Sequence, residues 1–174
     1  MFSESKKNKS SEILLYNKIV YLSRDKFFYN VVNLPDTFQI RIYLIFIHVS
    51  FLFILIKKQK DNLNLNNLSQ KIFDYIFVKI EENMRELGHG DIAVNRNMKL
   101  LVKMFYNILL NFEKYNKVND DDKIKMFSKY LSPEVNNSDL KLNELINYFN
   151  KYQSFCFDLP LNSVLKGDLN FKFE

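Results

Sequence analysis

The sequence predicts an all-α fold, and three observations carry that expectation. The 174 residues include only three glycines, three prolines and one alanine, whereas strand-rich folds consume Gly and Pro in their tight connections. Apolar residues recur three and four apart over long stretches, the spacing of one helix face. Between Tyr43 and Ile56 a run of 14 residues carries no formal charge, which describes a helix enclosed by others. Hydrophobic residues make up 47% of the chain, so it is not a disordered polymer. Its length suits one domain with one core. The expected architecture is a single-domain helical bundle over residues 11–174. Its central apolar helix covers about 37–57, and an antiparallel helix pair is joined at 88–95. Residues 1–10, with Lys6, Lys7 and Lys9, are expected to be a disordered basic tail.

The elements follow in order. Ile13, Leu14, Tyr16, Val20 and Leu22 form a helical stripe that starts near Ser10 or Ser11. Phe27-Phe28-Tyr29 with Val31-Val32 is an aromatic patch suited to a short helix. Leu34-Pro35-Asp36-Thr37 is a start signal: Pro35 pushes Leu34 out of the α region, Asp36 can cap, and Gln39 sits three residues on. Asp61 to Asn67 reads as a polar connector. Leu68, Ile72, Ile76, Ile80, Met84 and Leu87 mark one amphipathic helix ending at Gly88, and Met98 to Tyr115 mark a second. The pair should pack antiparallel across the turn. Asn119 begins a short helix that Ser132-Pro133 ends, and Ser138 begins another running through Tyr152. After Gly167, the alternation Leu169, Phe171, Phe173 suggests an extended arm.

One stretch differs in composition from the rest. Residues 84–96 hold two of the four arginines, two of the three glycines, one of the two histidines and the single alanine. In a chain that uses Lys for most positive charge, Arg offers a planar fork that can hold a carboxylate bidentately. The structural reading places Gly88 in the left-handed position that ends a helix, with Asp91 or Asn95 capping the next. Glu86 and His89 have the Glu-x-x-His spacing of di-iron bundles, but such sites need the motif twice, and His48 is preceded by Ile45. No metal is expected. His48, on the apolar helix, reads as a core histidine with a buried partner. The lone Cys156 rules out an internal disulfide and, between Phe155 and Phe157, reads as a small buried hydrophobe. No phosphate loop, nucleophile elbow or zinc motif is present, and neither an enzyme activity nor a cofactor is expected.

The residues before Arg24 contain no apolar run of the secretory type, and the Tyr43–Ile56 run is short of the ~20 residues of a bilayer span. A cytoplasmic location, with peripheral membrane contact, is the expectation. The net charge of +5 concentrates at Lys57-Lys58-Gln59-Lys60 and over Arg96, Lys99, Lys103 and the lysines that follow. That is a solvated face or a surface for an anionic partner, either ribosomal RNA or an anionic bilayer.

Two blocks carry a resemblance. The first runs from Leu15-Tyr16, Ile19-Val20 and Ser23-Arg24 through Phe28-Tyr29 to Leu34-Pro35-Asp36-Thr37-Phe38-Gln39-Ile40-Arg41 and His48. The second is Met84-Arg85-Glu86-Leu87-Gly88-His89-Gly90-Asp91-Ile92-Ala93-Val94. Together they resemble the ubiquinol–cytochrome c chaperone family, assembly factors for cytochrome b of the bc1 complex. The chain departs from the pattern at Ile40, where a Gly is expected, and at Glu81-Glu82-Asn83, where an acidic-Met-acidic run is expected. The resemblance implies a non-enzymatic chaperone domain over residues 11–174. Its client would be nascent or newly inserted cytochrome b, with the ribosome, a partner assembly factor and the inner membrane as further contacts and no DNA. It implies a polar signature of Arg24, Asp36, Arg41, His48, Arg85, Glu86, Gly88, Gly90 and Asp91. The charged members are expected to form a network that fixes the turn against the central helix, beside an apolar groove for the client. The competing class is a basic all-α nucleic-acid-binding module. An enzyme acting on a quinone or lipid is a third.

Overall fold

The computed structural model describes residues 10–59, 62–132 and 140–173. Among the described residues seven α-helices follow one another: α1 Ser11–Ser23, α2 Phe38–Lys58, α3 Leu63–Glu86, α4 Asp91–Phe112, α5 Asp120–Leu131, α6 Leu142–Asp158 and α7 Leu161–Lys166. A single π-helical turn at Phe27–Val31 links α1 to α2, and a 3-10 turn at Tyr115–Lys117 links α4 to α5. The described residues contain no strand, as the scarcity of turn formers predicts. The expectations for residues 1–9, for residues 60–61 of the polar connector, for the stop at Pro133 and for the start at Ser138 lie outside the described residues.

Helix α2 is the axis of the bundle. Fifteen of its 21 residues are buried, including every one from Ile42 to Leu52. Among the described residues it is the one helix long and apolar enough to cross a bilayer, yet its apolar window is largely covered by the chain's own helices. Burial of each Leu, Ile or Phe here is worth about 1.5–3 kcal/mol, so α2 carries a large share of the core. Its start is set by Thr37, whose Oγ1 accepts from the Ile40 amide at 3.2 Å. The expectation that Asp36 caps this helix is corrected: Asp36 lies one residue too early, and its carboxylate is taken by Arg41 instead. Gln39 does not complete a capping box, since its Nε2 donates to Tyr43 Oη at 2.9 Å. Lys57 and Lys58 close the helix where its carbonyls favour positive charge.

α4 packs along α2, α3 packs on α1, and α5 and α6 pair on another side of α2. α3 and α4 are sequential and touch, but each makes its principal contact elsewhere. Aromatic rings fill the space between α2 and α6: Phe28, Phe51, Phe127 and Phe149 are each at most 1% exposed and in ring contact with one another or with His48. The expected C-terminal arm is present. Leu169 is buried, Phe171 rests on Tyr148, Tyr152 and Phe155, and Phe173 on Phe27 and Tyr148. Before it lies α7, a short helix the periodicity did not reveal. It ends at Gly167 in the left-handed region, at φ 78°.

Candidate functional site

The corner between α3 and α4 is narrower than the 88–95 expected from the sequence. α3 stops at Glu86 and α4 starts at Asp91. Gly88 is left-handed at φ 86°, the Gly88 amide donates to Arg85 O at 2.9 Å, and the His89 amide donates to Met84 O at 3.1 Å. This pair of bonds closes the end of α3 and leaves only Leu87–Gly90 between helices. Gly90 occupies the N-cap position of α4, and Asp91 is its first residue rather than its cap. Glu86 and His89 are therefore not on one helix. Among the described residues no group of three or more His, Cys, Asp or Glu is placed to hold a metal.

Arg85 clasps this corner. Its Nε and Nη2 donate to Glu81 Oε1 at 3.1 and 2.9 Å, and its Nη1 donates to Asp91 Oδ1. The two carboxylates, Asp91 foremost, hold the guanidinium pKa above its usual value. One side chain thus ties the last turns of α3 to the first residue of α4. Glu81 is not part of the polar signature expected from the sequence, where it appears only as a departure from the family pattern, although its place four residues before Arg85 is the helical ion-pair spacing.

A second local pair sits at the start of α2. Arg41 Nε and Nη2 grip Asp36 Oδ1 and Oδ2 at 2.6 and 2.7 Å, and this holds the Asp36 carboxyl below the usual range. The Arg41 guanidinium also interacts with the phenol of Tyr29, whose Oη donates to Ser23 O at 3.1 Å. Four of the six charged residues of the signature accordingly fall into two separate clasps, Asp36–Arg41 and, with Glu81, Arg85–Asp91. The physical reason is locality. Each guanidinium finds its carboxylates within six residues, at little ordering cost. Arg24 and Glu86 make no ion pair with any described residue.

Charged residues from both blocks of the signature border one cleft. Arg24 from the end of α1, Arg41 from α2 and Glu86 from α3 line one opening of about 250 Å³, floored by Val20, Ile42, Ile45 and Ile80. It combines an apolar floor with charges of both signs at its rim, of which Arg24 and Glu86 make no ion pair with any described residue. The rest of the corner faces solvent: every residue from Arg85 to Ile92 is exposed.

His48 belongs to the core and not to this cleft. It is fully buried, its Nδ1 lies 2.7 Å from Leu44 O, and its Nε2 lies 2.9 Å from Tyr148 Oη. A carbonyl can only accept, so Nδ1 carries the proton and Nε2 accepts from the tyrosine. Burial holds the imidazole down to about 4, so it is neutral near pH 7. Cys156 is also buried, and its thiol is pushed up to about 12 by desolvation, which removes its nucleophilicity.

A sequence model described as ubiquinol-cytochrome C chaperone matches residues 30–171. The chain belongs to that family. Its fold is that of a solved structure described as the Cbp3 homolog from Brucella abortus, with a TM-score of 0.82 at 24% identity, covering 95% of this chain and 91% of the other. No protein of curated function matches it. The family match takes in both the α2 start and the α3–α4 corner. Both clasps and two of the three rim residues of the cleft, Arg41 and Glu86, lie within the matched residues.

Proposed function

We propose that this chain is an assembly factor for cytochrome b of the ubiquinol–cytochrome c reductase complex, binding the newly made apolar client without catalysis. The observation that carries the reading is the family match over residues 30–171. The cleft between α1, α2 and α3 is the client-binding element. Its floor of Val20, Ile42, Ile45 and Ile80 takes apolar side chains, while Arg24 and Glu86 meet polar groups flanking a client helix. The Asp36–Arg41 and Glu81–Arg85–Asp91 clasps fix the helix ends that form its walls. A client destined for the bilayer is made on a ribosome beside it, so contact with the ribosome, a partner assembly factor and the inner membrane belongs to the same reading. Buried and neutral, His48 and Cys156 offer no acid–base or nucleophilic group to this cleft. The test is isolation of the tagged full-length chain from cells pulse-labelled during respiratory growth. Labelled cytochrome b should accompany the native chain and be depleted in Arg24→Glu and Glu86→Lys variants. A native chain that brings down no cytochrome b, or variants that retain it fully, would remove this assignment.

A further inference from the structure

The outer face of α4 is unlike any other exposed surface described. At 3.6 residues per turn, Ile92, Arg96, Lys99, Leu100, Lys103, Tyr106 and Leu110 fall within about a third of the helix circumference. The apolar members are exposed: Ile92 88%, Leu100 60%, Leu110 59% and Tyr106 50%. Ile92, Leu100 and the stems of the three cations border one shallow hollow along the helix. No carboxylate occurs between Asp91 and Glu113, and Arg96, Lys99 and Lys103 make no ion pair with any described residue. The face is thus a stripe of about 27 Å, from Ile92 to Leu110, that interleaves exposed apolar side chains with cations that make no ion pair to any described residue.

We propose that this face of α4 docks the chain onto an anionic phospholipid surface. The inference rests on the proposed function only in that a membrane-borne client brings the chain to a bilayer. An aqueous partner of either sign would leave half of the stripe unmatched. Exposed Ile and Leu gain from entering the acyl boundary, and the cations beside them pair with lipid phosphates at the level where those tips enter. Nucleic acid would use the cations but gives aliphatic tips no base to stack on. Because α4 packs along α2 through its opposite face, docking leaves the core undisturbed.

The chain has no tryptophan, so a single introduced one reports its own surroundings. The full-length protein would be mixed with vesicles of phosphatidylcholine alone, and with vesicles holding about equal phosphatidylglycerol, at low salt. Binding is expected only with phosphatidylglycerol present. It should fall about 100-fold in the triple variant Arg96→Gln, Lys99→Gln, Lys103→Gln. A control with the same charge loss elsewhere, Lys71→Gln, Lys166→Gln, Lys172→Gln, should bind nearly as well as the native chain. The fluorescence of Leu100→Trp should shift to the blue on binding, while that of Leu63→Trp on α3 should not. Absence of vesicle binding, equal weakening in the two triple variants, an unshifted Leu100→Trp, or tighter binding to RNA than to anionic vesicles would each overturn the proposal. Because only lipid is used, failure here leaves the cytochrome b reading standing, and loss of the client leaves this result intact.

Discussion

Tyr148 donates a hydrogen bond to Nε2 of His48 at 2.9 Å across 100 residues of sequence, and so joins α6 to the central helix at a fully buried polar ring. Both residues are at most 1% exposed. Removing the hydroxyl leaves a buried acceptor unsatisfied, so Tyr148→Phe should destabilise the chain by about 1–3 kcal/mol in chemical denaturation. Pairing it with His48→Leu should give a loss smaller than the sum of the two single changes, because the double variant removes donor and acceptor together. Additive losses would mean that the two groups do not interact.

The same histidine makes stability depend on pH. Its folded value is about 4, against an ordinary 6.5. As pH falls from 6.5 towards 4, the unfolded chain takes up a proton that the folded chain refuses, and stability falls by about 3 kcal/mol over that window. Above 6.5 this contribution is fully present and flat. Urea denaturation across the range should show the decline in the native chain and a shallower one in His48→Gln. Parallel profiles would assign the acid sensitivity to other groups.

Gly88 and Gly90 stand two residues apart and should respond differently to alanine. Gly88 has φ 86°, where a Cβ is strained whatever the space around it. Gly90 has φ −72° and nothing within 4 Å of where a Cβ would lie. Gly88→Ala should cost about 1–2 kcal/mol, and Gly88→Asn should recover part of it, since Asn tolerates the left-handed region. Gly90→Ala should cost less than about 1 kcal/mol, the preference of an N-cap for Gly over Ala. Thermal unfolding of the three variants checks the order.

Gly167 faces a harder limit. A Cβ there would stand 2.7 Å from Leu14 Cβ and 3.1 Å from Ser11 O, at a positive φ as well. Neither neighbour is the free end of a side chain. Gly167→Ala should therefore cost more than Gly88→Ala, roughly 2–4 kcal/mol, by pushing the C-terminal arm off α1. Hydrogen exchange should show the loss of protection concentrated at α7 and α1. Protection there equal to that of the native chain would contradict the close approach.

Arg85 should behave as a clasp at the surface. Its side chain and that of Asp91 are well exposed, and such pairs contribute little to global stability. Arg85→Ala should leave the unfolding midpoint close to the native one while loosening the corner, seen as faster amide exchange at His89 and Asp91. A large drop in midpoint would show that the corner is part of the core.

Much of this was legible in the chain. The apolar spacing in α1, α3, α4 and α5 announced those helices, because one buried face imposes a 3.6-residue repeat. The charge-free run announced α2, because only a helix covered on nearly every side can omit a polar stripe. Thr37, rather than Asp36, capping α2 was not legible: both residue types can cap, and the choice was made by Arg41 claiming the aspartate. Nor was Tyr148 as the partner of His48, since nothing local links residues so distant. The preference of α4 for α2 over α3 was hidden for the same reason. The cleft rim gave a weaker signal: Arg24 and Arg41 stood out as two of only four arginines and Glu86 entered through the family resemblance, but only tertiary packing showed that they border one opening.

The most direct measurement is the haem b absorbance and the amount of assembled ubiquinol–cytochrome c reductase in cells from which this chain has been deleted. Loss of both, restored by the native gene and not by one carrying Arg24→Glu and Glu86→Lys, with no accumulating metabolite, is the outcome expected of a non-catalytic cytochrome b assembly factor. A deletion strain with a normal haem b spectrum and a full complement of the complex would contradict it.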